Sequence, residues 1–191
     1  MKKLARRFLL VIIILFIFQF FLFITNAYFV NISEKKTREL NLPVLAANSI
    51  KHAYAANLLY STFRSIGIPS QSSENLVIFF GKANEVAEHE LLSTERRDST
   101  LEMMKDLGNN VAGIKSAELM EAFPEKYPSQ RIDFIGDLAK NSLIFLSPDA
   151  VPLDEKDKLE ATKNSSLKSA FTWADQNKVA IFNKITTNTE R

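Results

Sequence analysis

The alternation of hydrophobic and polar positions divides the chain near residue 30. From Phe8 to Ile24 only Gln19 interrupts an apolar run rich in Ile and Phe, and Thr25 and Asn26 are the next polar residues before Val30. No polar face recurs at helical spacing within it. A helix needs about 20 apolar residues to cross a bilayer core, so the pattern predicts a transmembrane signal-anchor helix over residues 8–30. Tyr28 and Phe29 fall where aromatic side chains meet the headgroups. The alternative is a secreted protein cleaved after Ala27, at Thr25-Asn26-Ala27. The apolar core of a cleaved signal is about 7–15 residues, shorter than this run.

Past Val30 the pattern becomes amphipathic. Leu45, Ser49, His52, Ala56, Leu59, Phe63 and Ile66 recur at alternating spacings of four and three, one stripe of a helix close to a heptad. A long helix is expected to follow the span, with Pro43 kinking it or opening a new helix and Gly67 and Pro69 ending it. Residues 83–97 read as helical. Ser99-Thr100-Leu101-Glu102 is a capping-box pattern and predicts a short helix with Leu101, Met104 and Leu107 inward and Gly108 at its end. A further short helix stops before Pro124. Residues 131–140 form another, with Ile132, Ile135 and Leu138 or Ala139 inward, and residues 154–173 are mostly helical.

Three short apolar runs, LVIFF, LIFL and VAIF, read equally as buried strand or buried helix, because periodicity does not separate the two over so few residues. Two architectures follow. The favoured one is mainly α, a transmembrane helix leading into a helix-rich extracytoplasmic domain. The other is α+β, with a small sheet built from residues 76–80, 143–146 and 179–182. The favoured organisation is a cytoplasmic basic N-terminus at 1–7, the span at 8–30, and one extracytoplasmic domain at 31–191.

Composition adjusts this picture in three ways. Glycine is scarce at five residues, which favours helices over a turn-rich β fold. The net charge is +2, but Lys2, Lys3, Arg6 and Arg7 precede the apolar run and leave the remainder slightly acidic. No basic stripe for nucleic acid follows. Those same four charges favour an N-terminus inside the cytoplasm, which places the domain in the periplasm of a bacterial inner-membrane protein. Finally, the absence of cysteine removes disulfides, thiolate catalysis and cysteine-ligated zinc.

The candidate chemistry is sparse. His89 follows Glu85 by one turn, but the second histidine of an HExxH helix is missing, so the pair reads as a solvated acidic face with no metal assigned. His52 lies on the apolar stripe; it reads as a partly buried structural histidine or, more sharply, as a pH-sensing group. Leu45, Ala56, Leu59 and Phe63 on the same stripe are the candidate partner interface. No nucleophile elbow, phosphate-binding glycine loop or dinucleotide fingerprint is present, so no catalytic residue or cofactor is assigned and a non-enzymatic role is expected.

The segment TRELNLPVLAANSIKHAYAANLLYSTFRSIGIPSQSSE, with Leu42-Pro43 followed by Ala46-Ala47, resembles the first extracytoplasmic helix of helical-bundle bacterial sensors of the histidine-kinase and chemoreceptor classes. The resemblance covers residues 31–75. It implies a sensor-like or regulatory module that acts through contacts with a membrane-protein partner or a second copy. The chain departs from that class in carrying no second span and no cytoplasmic signalling domain, so no ligand-contacting residue transfers. A structural subunit of an envelope or secretion assembly is the rival reading.

Overall fold

A computed structural model describes residues 26–91, 98–127 and 130–189. These form seven α-helices and a 3-10 turn: α1 over 26–39, α2 Ala46–Ser65, α3 Ser70–Leu91, α4 Thr100–Ala122, α5 Arg131–Lys140, the 3-10 turn Pro148–Ala150, α6 Glu155–Lys163 and α7 Leu167–Thr189. No strand occurs among the described residues, so the mainly α architecture holds and the three-strand sheet is corrected. Residues 1–25, which carry most of the expected span, lie outside the described set. Among the described residues no helix is long and apolar enough to cross a membrane.

The centre of the fold is α4. The capping box forms as its sequence requires: the Ser99 N–H donates to Glu102 Oε2 at 2.9 Å, and the Glu102 N–H donates to Ser99 Oγ at 3.2 Å. The helix does not stop at Gly108 but runs on to Ala122, before Pro124. Gly108 instead serves packing. A Cβ there would lie 2.5 Å from the Phe145 ring and 3.3 Å from Trp173, so only glycine admits both aromatics. α2 and α7 lie along α4, while α3, α5, α6 and the 3-10 turn cover the rest. As a result α4 is buried around almost its whole circumference, polar residues included.

The alanine-rich face of α2 explains the closest crossing. A Cβ on Gly113 would sit 2.1 Å from the Ala53 carbonyl oxygen and 3.0 Å from the Ala56 Cβ, so the backbones of α2 and α4 meet with almost nothing between them. Ser49, His52 and Ala56 of the expected stripe are buried, but Leu45 and Ile66 at its ends are 73% and 69% exposed. The buried face is shifted toward Ile50, Ala53, Tyr54, Asn57 and Tyr60. Pro43 opens a new helix rather than kinking a long one: α1 ends at residue 39, and Asn41 turns the chain with φ 53. Gly67, at φ 90, ends α2 as expected.

LVIFF is part of α3 and VAIF part of α7. LIFL has no regular structure, yet Leu143, Ile144 and Phe145 are buried. Its backbone finds its partner in a side chain. Asn109 Nδ2 donates to the Phe145 carbonyl at 2.9 Å, and the Phe145 N–H donates to Asn109 Oδ1 at 2.8 Å. That amide does the work of a neighbouring strand and meets the rule that buried backbone groups are paired. Residues 154–173 split into α6 and α7, because Asn164 and Ser166 leave the helix to bond Thr100 at the start of α4. α5 buries Ile132, Ile135, Leu138 and Ala139 as expected, with Phe134 besides.

α1 is held by specific contacts. Phe29 meets Tyr54 edge-on at 5.6 Å, the Lys36 ammonium bridges Asp133 of α5 at 2.7 Å, and Leu40 and Lys36 lie over Gly136.

Candidate functional site

α3 is the helix that carries chemistry inward. Ser73, Val77 and Glu85 lie at four- and eight-residue steps on its inner face and are all buried, with Gly81 between them. A Cβ on Gly81 would lie 2.6 Å from Asn110 Nδ2, so the glycine lets α3 and α4 approach. That approach takes Glu85 into the interior. The reading of Glu85 and His89 as a solvated acidic face is therefore corrected. Glu85 is 1% exposed, and its Oε1 has no hydrogen-bond partner among the described residues. His89 turns away, its ring nitrogens 3.4 Å from Glu90 Oε1 and from the Ser165 carbonyl oxygen.

The company of Glu85 is other carboxylates. Oxygens of Glu85, Glu88 and Asp98 lie within 4.8 Å of one another. Glu88 follows Glu85 by one turn, and Asp98 immediately precedes the Ser99 cap of α4. Burial, reinforced by Asp106, Glu88 and Asp98 and opposed by Lys105, pushes the Glu85 carboxyl up to about 9. Burial followed by the charges of Glu102, Asp106 and Glu88 raises Asp98 to about 6. Taking a carboxylate out of water disfavours its charged form, and like charges nearby add to that.

Next to the carboxylates is a second polar group. The Asp106 carboxylate, itself buried, accepts from Asn48 Nδ2 at 3.2 Å to each oxygen and pairs with the Lys105 ammonium at 3.1 Å. His52 Nε2 is 3.6 Å from Asp106 Oδ2. Burial nevertheless lowers the His52 pKa, Asp106 and Glu88 opposing that shift and Lys51 and Lys105 adding to it. The imidazole is thus neutral at neutral pH. As the pH falls below the ordinary histidine value the unfolded chain takes up this proton first, so acidification costs the fold stability.

His52 and Glu88 also line an open cavity of about 530 Å³ between α1, α2, α3 and α4. Its apolar wall includes Phe29, Leu59, Val77 and Phe80, and Lys51, Asn84 and Asn110 add polar groups. This combination of apolar lining with a few polar groups is that of a small-molecule pocket. Asn84 Nδ2 donates to Glu88 Oε1 at 3.0 Å, which orients Glu88 between cavity and carboxylate cluster.

The four stripe residues separate. Ala56 is buried at the Gly113 crossing and lines the cavity together with Leu59. Leu45 is exposed, and Phe63 is half-buried and stacked on Phe80 at 6.2 Å. Phe79 and Phe80 continue that aromatic surface, at 63% and 48% exposure. Asp98, Lys105, Asp106 and the inward position of Glu85 were not singled out by sequence. The series Ser73, Val77, Gly81, Glu85 carried the signal for the last of these, since it places Glu85 on the same face as a buried valine. Comparison with family models, with curated proteins and with solved structures finds no match, so the reading of this site rests on its own geometry.

Proposed function

We propose that the chain is a membrane-anchored, non-enzymatic, sensor-like module that binds a small ligand and acts through protein contacts outside the cytoplasm. The observation that carries this reading is the cavity of about 530 Å³ whose wall includes Asn26 and Phe29 of α1. α1 follows directly on the apolar run of residues 8–24. A ligand touching Phe29 and the α2–α3 wall together has different contacts when α1 shifts, which is the differential affinity that a switch requires. Helix shifts of about 1–2 Å suffice for such signals. The basic start and the length of the apolar run support anchoring. Leu45, Phe63 and Ile66 are stripe residues with surface outside the cavity to offer a partner.

The test uses the full-length chain in its native membrane, with a photo-reactive amino acid at Leu45 or Phe63. The chain should resist alkaline extraction, and irradiation should join it to a membrane protein or to a second copy. Release by alkali, or irradiation that joins it to nothing at either position, overturns the proposal.

A further inference from the structure

Three features reach beyond the cavity: the exposed aromatic surface of Phe79 and Phe80, the indole nitrogen of Trp173, which has no partner among the described residues, and the carboxylates beneath α3. The last carries the most. We propose that Glu85, Glu88 and Asp98 bind a hard divalent cation of calcium size. The site shares Glu88 with the cavity but does not rest on the ligand-binding reading.

An acidic cluster alone would not justify this, because exposed carboxylates often gather without an ion. Glu85 is different. It is 1% exposed, its Oε1 has no hydrogen-bond partner among the described residues, and it lies in the group whose oxygens approach within 4.8 Å. A buried carboxyl is normally hydrogen-bonded, paired with a cation or bound to a metal. The Lys105 ammonium, the cation that acts on Glu85 among the described residues, is engaged with Asp106 at 3.1 Å, and that carboxylate is further bound by Asn48. Lys105 therefore balances Asp106 and leaves three carboxylates facing one another.

The donor set selects the ion. The chain has no cysteine, His89 faces Ser165 and Glu90, and His52 faces Asp106. Only oxygen donors remain, which suits calcium, magnesium or manganese rather than zinc or copper. The oxygens lie within 4.8 Å of one another, inside the reach of two calcium–oxygen bonds of about 2.3–2.6 Å, and three protein carboxylates suit calcium better than magnesium, which keeps several waters and takes one or two. The partial exposure of Glu88 and Asp98 lets water complete the shell, and the Asn84 hydrogen bond already holds Glu88 in place. Arg96 and Arg97 immediately precede Asp98 in sequence, so their guanidinium groups are the competitors that the test must separate from a cation.

Chelator-treated full-length protein in mild detergent is dialysed against radioactive calcium and, in parallel, melted with and without calcium chloride. The expected result is one ion bound per chain with Kd on the order of 10⁻⁵–10⁻³ M and a melting temperature raised by several degrees. Glu85→Gln and Asp98→Asn should each weaken uptake at least 100-fold, and Glu88→Gln at least tenfold. Asp175→Asn, which removes an exposed carboxylate elsewhere, should leave uptake unchanged. Far-UV circular dichroism confirms that each variant is folded, and the pair Glu85→Gln and Asp98→Asn guards against failure of either one. No uptake by the wild-type chain overturns the proposal, as does uptake that survives both substitutions. Uptake appearing only in Arg96→Ala/Arg97→Ala also overturns it, because the chain then supplies its own counter-ion.

Discussion

Replacing Glu85 by Gln in the metal-free protein should stabilise the fold, an unusual result for a change at a fully buried position. In the unfolded chain the carboxyl titrates near 4.5, and in the fold it is pushed up to about 9. Between those values the unfolded state has released a proton that the folded state still holds. Stability therefore falls as pH rises through this window, by at most about 1.4 kcal/mol per unit. From 4.5 to 7 this reaches a ceiling of about 3 kcal/mol. Gln keeps the size of Glu, never ionises, and can donate its amide to the Glu88 or Asp98 carboxylates. Desolvating that amide offsets part of the gain, so a net gain of about 1–3 kcal/mol is expected at pH 7. For a chain of this length that raises the melting temperature by roughly 2–12 °C. The assay is thermal unfolding of chelator-treated wild type and Glu85→Gln, followed by circular dichroism at pH 5.5, 7 and 8. The gap between them should widen by about 3 kcal/mol from pH 5.5 to pH 8. A gap that stays constant with pH, or a variant less stable than wild type at pH 8, refutes the reasoning.

Two further predictions concern the scaffold around the site. Gly113→Ala forces a methyl group to within 2.1 Å of the Ala53 carbonyl oxygen, a backbone atom that cannot turn aside. Overpacking of this kind should cost about 3 kcal/mol or more, read as a fall of roughly 10 °C in thermal unfolding; an unchanged melting temperature refutes it. Asn109→Leu preserves volume but leaves the buried N–H and carbonyl of Phe145 without the bonds at 2.8 and 2.9 Å. A loss of about 2–4 kcal/mol is expected, together with faster amide hydrogen exchange at Phe145 than at the core of α7; unaltered exchange would show that another group pairs this backbone.

Where the chain's local rules act over one or two turns, the sequence is legible. The Ser99–Glu102 box, the break at Gly67, the stop before Pro124 and the inward set of α5 all come from neighbours within four residues, and all are present. The failures share a cause. Gly108 reads as a helix end because glycine is the usual residue there, but in α4 it makes room for Phe145 and Trp173, which are distant in sequence. LIFL lacks a strand partner because Asn109 supplies the hydrogen bonds, and no strand propensity encodes a side-chain amide. A helix surrounded on all sides has no polar face, so a two-face reading of α4 sends Lys105 and Asp106 to solvent when they are in fact enclosed. The anchor helix over residues 8–30 extends largely beyond the described residues and stays among the proposals.

The carboxylate cluster was dispersed in the same way, since Glu85 and Glu88 come from α3, Asp98 from the entry to α4, and the neighbouring His52 and Asn48 from α2. No spacing motif joins them; the glycine at position 81 does, by letting α3 lie close to Asn110. Their arrangement has a consequence for the cavity. Glu88 borders both the cluster and the cavity, and Lys51 is the ammonium on the cavity wall. Without a cation, the cavity wall carries one charge of each sign, Glu88 and Lys51. A divalent ion held by Glu85, Glu88 and Asp98 would engage the Glu88 charge from below and leave Lys51 uncompensated. At an effective dielectric near 20, a unit charge about 8 Å away changes the local energy of an anionic group by about 2 kcal/mol, roughly a thirtyfold change in affinity. Cation and pocket ligand are thereby linked through one side chain, and linkage of this kind is reciprocal. An anionic ligand that binds more tightly in calcium must in turn tighten calcium binding by the same factor. In Glu88→Gln that mutual dependence should collapse, even if each ligand still binds alone.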